Sequence, residues 1–325
     1  MAGSFEQFER ALGELRAQID RVKRLTQEQG LDRSAEIAEL EAQERRLLEE
    51  VYANLSPWDQ TLIARNPQRP YLLDYVHLLF NDFTELQGDR LYADDGAMVG
   101  GPARLDDRWV MVIGQQKGRD AADRHKRNHG YSRPEGYRKA LRLMRLAEKF
   151  QRPVISLVDT TAADASVGSE ERGISEAIAR NIRDMFLLRV PIIVAITGEG
   201  GSGGALGIGV GDRVLMLEHA VYSVIPPEGC AAILWKDPKR APEAAAALRV
   251  TARSAREMGA VDEIVPEPLG AAHRDKETTA RNLKEALSRH LDELCRTDVD
   301  TLLDLRYEKF RRLGEYVDPS SNGAG

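Results

Sequence analysis

Cysteine is almost missing from this 325-residue chain: Cys230 and Cys295 lie far apart, with no C-x-x-C spacing. That indicates neither a zinc cluster nor a disulfide framework, and no metal site is expected. No run of about 18 uncharged apolar residues occurs, and no cationic, apolar, small-residue leader opens the sequence. The expectation is a cytoplasmic protein with no membrane partner. Positive charge is also in short supply. Lys and Arg number 46 against 52 Asp and Glu, a formal net charge of -6, which argues against a nucleic-acid role resting on overall electrostatics. The one basic cluster, "RHKRNHG" (124–130), sits beside acidic residues and reads as a solvated or anion-facing loop. No repeat at a solenoid period is visible.

What is present suits a soluble α/β protein. With 42% hydrophobic and 30% charged residues, the chain can bury a sizeable core. Its texture changes near residue 55. Before that point Leu12, Leu15, Ile19 and Val22, then Ile37, Leu40, Leu47 and Val51, recur at helical spacing among dense charges. This predicts an antiparallel helical hairpin with a narrow apolar stripe that packs on the protein's own core or on another subunit. From about residue 97, strand and helix patterns alternate. "AMVGGPARL" and "RWVMVIGQ" form a hairpin around Asp106 and Asp107; "EGYRKALRLMRLAEKF" reads as a helix, "RPVISLVDT" as a buried strand, "SEERGISEAIARNIRDMFLL" as one helix and "VPIIVAIT" as another buried strand. "RVLMLEHAVYSVI" supplies two short strands, "EGCAAILW" and "PEAAAALRVTARSAREMG" are helical, and "AVDEIVP" ends the core before two polar helices and the loose tail "VDPSSNGAG". The pattern predicts an α/β core with crossover connections. The expected divisions are a hairpin over 1–56, a core over 57–296, and a C-terminal helix with flexible tail over 297–325.

The densest signal is "GEGGSGGALGIGVGD" (198–212), eight glycines in fifteen positions after a buried strand. It is not a Walker loop, because no lysine follows the glycines. A dinucleotide fingerprint would open an early βαβ unit, whereas this run is late in the chain. A strand turning into a helix that begins near Gly203 and Gly204 remains. The N–H groups at such a helix start have no intrahelical partner and lie at its positive end, so they suit an oxyanion. Glycine also lets a reacting group approach closely, or lets the helix pack tightly on a neighbouring strand.

Together with that run, "YSVIPPEGCAAILWKD", "PEGYRKALRLM", "ERGISEAIARN", "NPQRPYLLDYV" and "PEPLGAAHRD" resemble the carboxyltransferase alpha subunits of bacterial acetyl-CoA carboxylase. The likeness extends from the hairpin to about residue 275. It implies a crotonase-like ββα superhelix and an α2β2 assembly with a beta subunit that carries a zinc ribbon, alongside a biotin carboxyl carrier protein and biotin carboxylase. It also implies transfer of a carboxyl group from carrier-borne carboxybiotin to acetyl-CoA, giving malonyl-CoA for fatty acid synthesis, with no cofactor bound covalently. Gly203 and Gly204 would then donate N–H groups to a developing oxyanion, toward the biotin side. Gly200, Gly201, Ser202, Ala162 and Ala163 would border the substrate. No catalytic Ser, His or Cys is required, since the ureido nitrogen itself takes the acetyl proton.

Weaker roles attach to other residues. Lys117 and Arg119 would meet CoA phosphates or the migrating carboxylate, or else form surface ion pairs. Glu228 and Gly229 would line the substrate site; they open a helix, where a carboxylate is favoured by the dipole whatever the function. Glu170, Glu171 and Arg172 read as a structural or interface network. One stretch departs from the family pattern, approximately D-T-P-G-A-Y/F-P-G-V-G-A-E-E-R-G, for which this chain has "DTTAADASVGSEERG" (159–173). The departure predicts backbone strain at Ala162 or a shifted backbone, if the family glycine there has positive φ, a looser loop from the two lost prolines, and a charge at Asp164 that repels a bound carboxylate. A weakened paralogue acting as a binding or regulatory subunit, and a crotonase-like acyl-CoA hydrolase or isomerase, are the alternatives. The last needs a side-chain acid or base beside the oxyanion hole.

Overall fold

The computed structural model describes residues 3–30 and 32–314; the expected loose tail lies outside the described residues. Helices α1 (Gly3–Gln29) and α2 (Ser34–Tyr52) form the antiparallel hairpin. Its stripe serves two contacts. Leu15, Ile19, Val22 and Leu40 seal the distal half of the hairpin on itself, while Phe5, Phe8, Leu12 and Leu48 pack with Ile63 and Ala271 of the main body. A narrow stripe suffices because only the near half meets the core.

Helices α3 (Pro57–Ala64) and α4 (Leu72–Leu79) lead to the hairpin strands β1 (Met98–Leu105) and β2 (Arg108–Gln115). Next come α5 (Ala121–Lys126), α6 (Pro134–Lys149), β3 (Val154–Thr160), α7 (Val167–Glu171), α8 (Ile174–Leu187) and β4 (Ile192–Gly201). The glycine run then forms α9 (Ser202–Leu206), followed by β5 (Arg213–Leu217), β6 (Val221–Ser223), α10 (Pro227–Trp235), α11 (Ala241–Leu248) and α12 (Ala252–Glu257). Strand β7 (Glu263–Val265) and helices α13 (Lys276–Leu294) and α14 (Val299–Arg311) complete the described chain.

The sheet runs β1-β2-β3-β4-β5-β7, antiparallel between β1 and β2 and parallel elsewhere. Every residue of β3 and β4 is buried, as expected of parallel strands covered on both faces. Strand β4 outlasts its apolar run: after pairing with β5 through Ile196 it continues, and Glu199–Gly201 pair in parallel with β6. The sheet therefore splits beyond Ile196, and the glycines lie in the split.

Two expected helices are broken. Gly173, at φ +78°, separates α7 from α8. Arg249, at φ +53°, ends α11; Thr251 then caps α12 by accepting from Ser254 N–H, and the Tyr222 N–H donates to the carbonyl of Val250. The adjacent β-branched pair Val250 and Thr251 favours this extended excursion over continued helix. Two buried arginines brace the frame: Arg69 clasps Glu267 through two 2.8 Å bonds and donates to Thr197 O, and Arg306 clasps Asp212 in the same way while capping three carbonyls.

Candidate active site

The split leaves a narrow cleft, with room of about 20 Å³, bordered by Arg65, Thr161, Gly200, Gly201, Ile225 and Pro227. Steric necessity explains two glycines. A Cβ on Gly201 would lie 1.9 Å from Thr161 O, and one on Gly204 would lie 2.5 Å from the carbonyl carbon of Ala162. The β3 exit thus packs directly on the backbone of β4 and α9, and neither position admits a side chain. Gly203 is different, since a Cβ there would meet only Ile178 Cδ1, at 3.6 Å. Ser202 opens the helix at φ +50°, a costly backbone state for a residue with a side chain.

Helix α9 has no side-chain cap on its first turn, so its N–H groups stay available, and its carbonyls are tied down from behind. Gly204 O accepts from Gln115 Nε2 at 3.1 Å and from the Tyr137 hydroxyl at 3.2 Å. Gly207 O accepts from Asn181 Nδ2 at 2.9 Å, and Ile208 O from Ser156 Oγ at 2.7 Å. Gln115 also accepts from the Asp159 N–H at 3.1 Å. One buried amide therefore fixes the end of β3 relative to α9. Donors held in this way need no rearrangement when negative charge develops in front of them.

A charge network lies beneath. Lys117 Nζ sits 2.7 Å from Asp159 Oδ1 and 3.9 Å from Glu199 Oε2. Burial opposes its charge, but Asp159 and Glu199 outweigh it and raise its pKa. Glu199 also accepts from Arg65 Nε at 2.8 Å and from Thr161 Oγ1 at 2.6 Å. Burial again opposes ionisation, and Lys117, Arg65 and the Thr161 hydroxyl overcome it, lowering the Glu199 pKa. Glu228, at the start of α10, holds the other side of Arg65, with Nη2 donating to Oε2 at 3.2 Å.

Of the residues expected from the sequence, Gly200, Gly201, Ser202, Gly203 and Gly204 come together at the cleft and the helix start, with Ala162 and Ala163 against Gly204. Glu228 stands at the rim through Arg65, and Gly229 follows it in α10. Lys117 belongs to the floor: of its two expected roles it takes the ion pair, in a buried setting. Arg119 is turned away, paired with Asp74, donating to Pro67 O at 2.6 Å and stacked 4.0 Å from the Tyr71 ring. Arg172 joins Glu135 at 2.6 Å in a structural network, whereas Glu170 and Glu171 make no side-chain bond among the described residues. The expected strain at Ala162 is absent, because its φ is not positive. Asp164 is also occupied. It accepts from Ser166 and Ser169 hydroxyls at 2.5 Å and from Asn128 Nδ2 at 3.1 Å, so its carboxylate braces its own loop. The basic segment around Asn128 borders this loop, and Gly130 O accepts from Thr160 Oγ1 at 2.8 Å.

Arg65, Asp159, Glu199, Gln115 and Tyr137 were not singled out in the sequence. A carboxylate inside a glycine run that extends a buried strand was a signal for Glu199. Nothing local marked the others.

A family model described as acetyl co-enzyme A carboxylase carboxyltransferase-like matches residues 5–314. The chain is 55% identical over 311 residues to the acetyl-coenzyme A carboxylase carboxyl transferase subunit alpha of Gloeobacter violaceus, covering 96% of this chain and 95% of that protein. With the subunit of the same name from Geobacter metallireducens it shares 52% over 319 residues, 98% and 100% of the two chains. Among solved structures, transcarboxylase 12S with methylmalonyl-coenzyme A bound superposes at TM-score 0.56 and 17% identity. That match covers 78% of this chain and spans 44% of the transcarboxylase chain. A Pseudomonas malonate decarboxylase hetero-tetramer in complex with coenzyme A also gives TM-score 0.56 at 17% identity, over 67% of this chain and 90% of its own. These likenesses establish the crotonase-like α/β fold. The chain belongs to the family of acetyl-CoA carboxylase carboxyltransferase alpha subunits.

Proposed function

We propose that this chain is the alpha part of a biotin-dependent carboxyltransferase that moves a carboxyl group from carrier-borne carboxybiotin to acetyl-CoA. In the reaction the C–N bond to the ureido ring breaks, the C–C bond to the acetyl methyl carbon forms, and the ureido nitrogen takes the methyl proton. The ureido oxygen gains negative charge as the carboxyl group leaves. Gly203 and Gly204 N–H groups stabilise it, Gln115 and Tyr137 hold those donors in place, and Gly200 and Gly201 give the substrates close access to the backbone. The observation that carries this reading is the first turn of α9, which has no side-chain cap, is fixed from behind and continues directly from Gly200 and Gly201 of the cleft wall.

The hydrolase or isomerase alternative needs a free acid or base here. Glu199 is the carboxylate that lines the cleft, and Lys117 and Arg65 hold it ionised, which removes it as a general acid near neutral pH and makes it a weak base. The paralogue alternative rests on the substituted 161–166 loop: Ala162 carries no positive-φ strain, but Asp164 keeps its charge while bracing the loop, and activity of the assembled complex separates the two readings. On this reading the enzyme is cytoplasmic, and its partners are a beta subunit that supplies the thioester oxyanion donors, the biotin carrier and biotin carboxylase.

The experiment is reverse transfer from malonyl-CoA to biocytin by the purified chain, with and without a cognate beta subunit. Turnover is expected only with the partner. Turnover by a verified partner-free preparation would overturn the shared-site reading, and silence of a well-formed complex would overturn the assignment itself.

A further inference from the structure

The chain as a whole is acidic, yet one groove is lined by cations. It offers about 300 Å³ between α6, α8 and the segment ahead of β1, and Arg90, Arg138, Arg142, Arg145 and Arg180 face it beside a single carboxylate, Asp89. Buried Leu141 and Ala177 contribute an apolar floor.

The five arginines differ in how they are neutralised. Arg138 donates to Asp89 at 2.8 Å and Glu135 at 3.0 Å, and Arg145 pairs with Asp184. Arg142 donates only to carbonyls, those of Gly88 and Leu86 at 3.0 Å and Gln87 at 3.3 Å. Arg180 reaches Asp184 only at 4.0 Å, and that carboxylate is already shared with Arg145 and Arg183. Arg90 has no hydrogen-bonded or ion-paired side chain among the described residues and holds a left-handed backbone, φ +65°. Burial and the nearby charge of Arg90 both lower the Arg142 pKa. The protein thus holds like charges together at an energetic cost.

We propose that this groove binds a small anion of the polyphosphate class, gripped by Arg90, Arg142 and Arg180. The guanidinium fork matches phosphate oxygens in geometry, and an apolar floor strengthens each contact. Three weakly countered cations call for a ligand carrying several negative charges, and a volume of about 300 Å³, at the low end of the range of about 300–1,000 Å³ typical of small-molecule sites, suits a small one. A nucleic-acid backbone is disfavoured, because the adjoining surface alternates Arg145 and Arg183 with Glu148 and Asp184 rather than continuing as a purely basic stripe. The site is separate from the cleft but joined to it: Asn181, on the groove wall, donates to Gly207 O and to Tyr137 O, both at 2.9 Å.

The test is isothermal titration of the full chain with tripolyphosphate at about 0.1 M salt, where distant surface charges are screened. One saturable site per chain is expected. The Arg90→Gln, Arg180→Gln double variant removes two cations that make no close hydrogen bond in the fold, and it should bind about a hundredfold more weakly, tenfold for each lost charged contact. Arg142→Gln, checked by thermal melting because of its loop contacts, should weaken binding about tenfold. Absence of saturable binding, or undiminished affinity in the double variant, would overturn the proposal. So would a short RNA or an acidic peptide that binds this groove when tripolyphosphate does not.

Discussion

Gly203 gives a direct way to separate a backbone donor from the space around it. Replacing Gly203 with proline deletes one N–H, and replacing it with alanine keeps that N–H while adding a Cβ. The structure makes the comparison interpretable at this position, since the added Cβ would meet only Ile178 Cδ1 at an ordinary 3.6 Å. At Gly204 the same atom would lie 2.5 Å from the Ala162 carbonyl carbon and 2.7 Å from Ala163 N, so every substitution there shifts two strand ends and confounds the result. Proline is tolerated in the first turn of a helix, where the N–H has no intrahelical partner. Its demand on the preceding residue, Ser202 at φ +50°, requires that folding and assembly be verified first. Loss of one preorganised donor to an oxyanion costs about 10²- to 10³-fold in rate, or about 2.7–4 kcal/mol. Gly203→Pro should therefore lower kcat and kcat/KM together by that factor, the signature of an interaction made only in the transition state. Gly203→Ala should remain within about threefold, because it keeps the donor and suits a helix better than glycine. The assay is malonyl-CoA decarboxylation coupled to biocytin carboxylation in the complex with a beta subunit. An assembled Gly203→Pro variant with near-normal kcat would refute the claim that this N–H stabilises the transition state.

Two further predictions concern buried charge. Lys117→Met leaves Asp159 without its closest cation, although Glu199 keeps Arg65 at 2.8 Å; unfolding by urea should show a loss of about 3 kcal/mol, the lower end for breaking a buried pair, and an unchanged midpoint would contradict the network. Glu267 is buried, and although burial disfavours its charge, the Arg69 clasp outweighs this and holds its pKa down at about 2, against an ordinary 4.5. A depressed carboxylate pKa adds stability that is complete above the unfolded value and lost as pH falls, here from about 4.5 down to about 2, a contribution on the order of 3 kcal/mol. The slope of stability against pH across that window should flatten in Glu267→Gln, and equal slopes in the two proteins would refute the assignment.

The sequence carried the fold where periodicity and burial agree. The apolar runs of β3 and β4 are buried along their whole length, and the charged hairpin helices end within a few residues of the expected break. It failed where one residue leaves helical space on tertiary demand. Gly173 is a recognisable breaker, but Arg249 is a good helix former, and its left-handed backbone follows from the Val250 carbonyl being taken by Tyr222. Propensity does not register such a partner.

The site divides along the same line. The glycine run was legible because close backbone approach leaves a compositional trace: Gly201 and Gly204 abut the β3 exit so tightly that only glycine fits. Charge pairing leaves no such trace. Arg65 and Glu199 are 134 positions apart, and Gln115 reaches Gly204 across 89, so nothing in a local window distinguishes them from the many exposed Arg, Glu and Gln of a chain that is 30% charged. Chemical type alone misassigns such residues. Lys117 and Arg119 stand two positions apart after the same strand, and the sequence treats them alike. The fold buries Lys117 under the cleft between two carboxylates and turns Arg119 outward onto Tyr71. Strand alternation would put residues two apart on one face; both of these lie past the end of β2, and Gly118 between them, at φ +88°, turns the backbone so that they part. The floor of this site is therefore set by which strand end each charge faces, a property of the β2-β3-β4 register rather than of any motif.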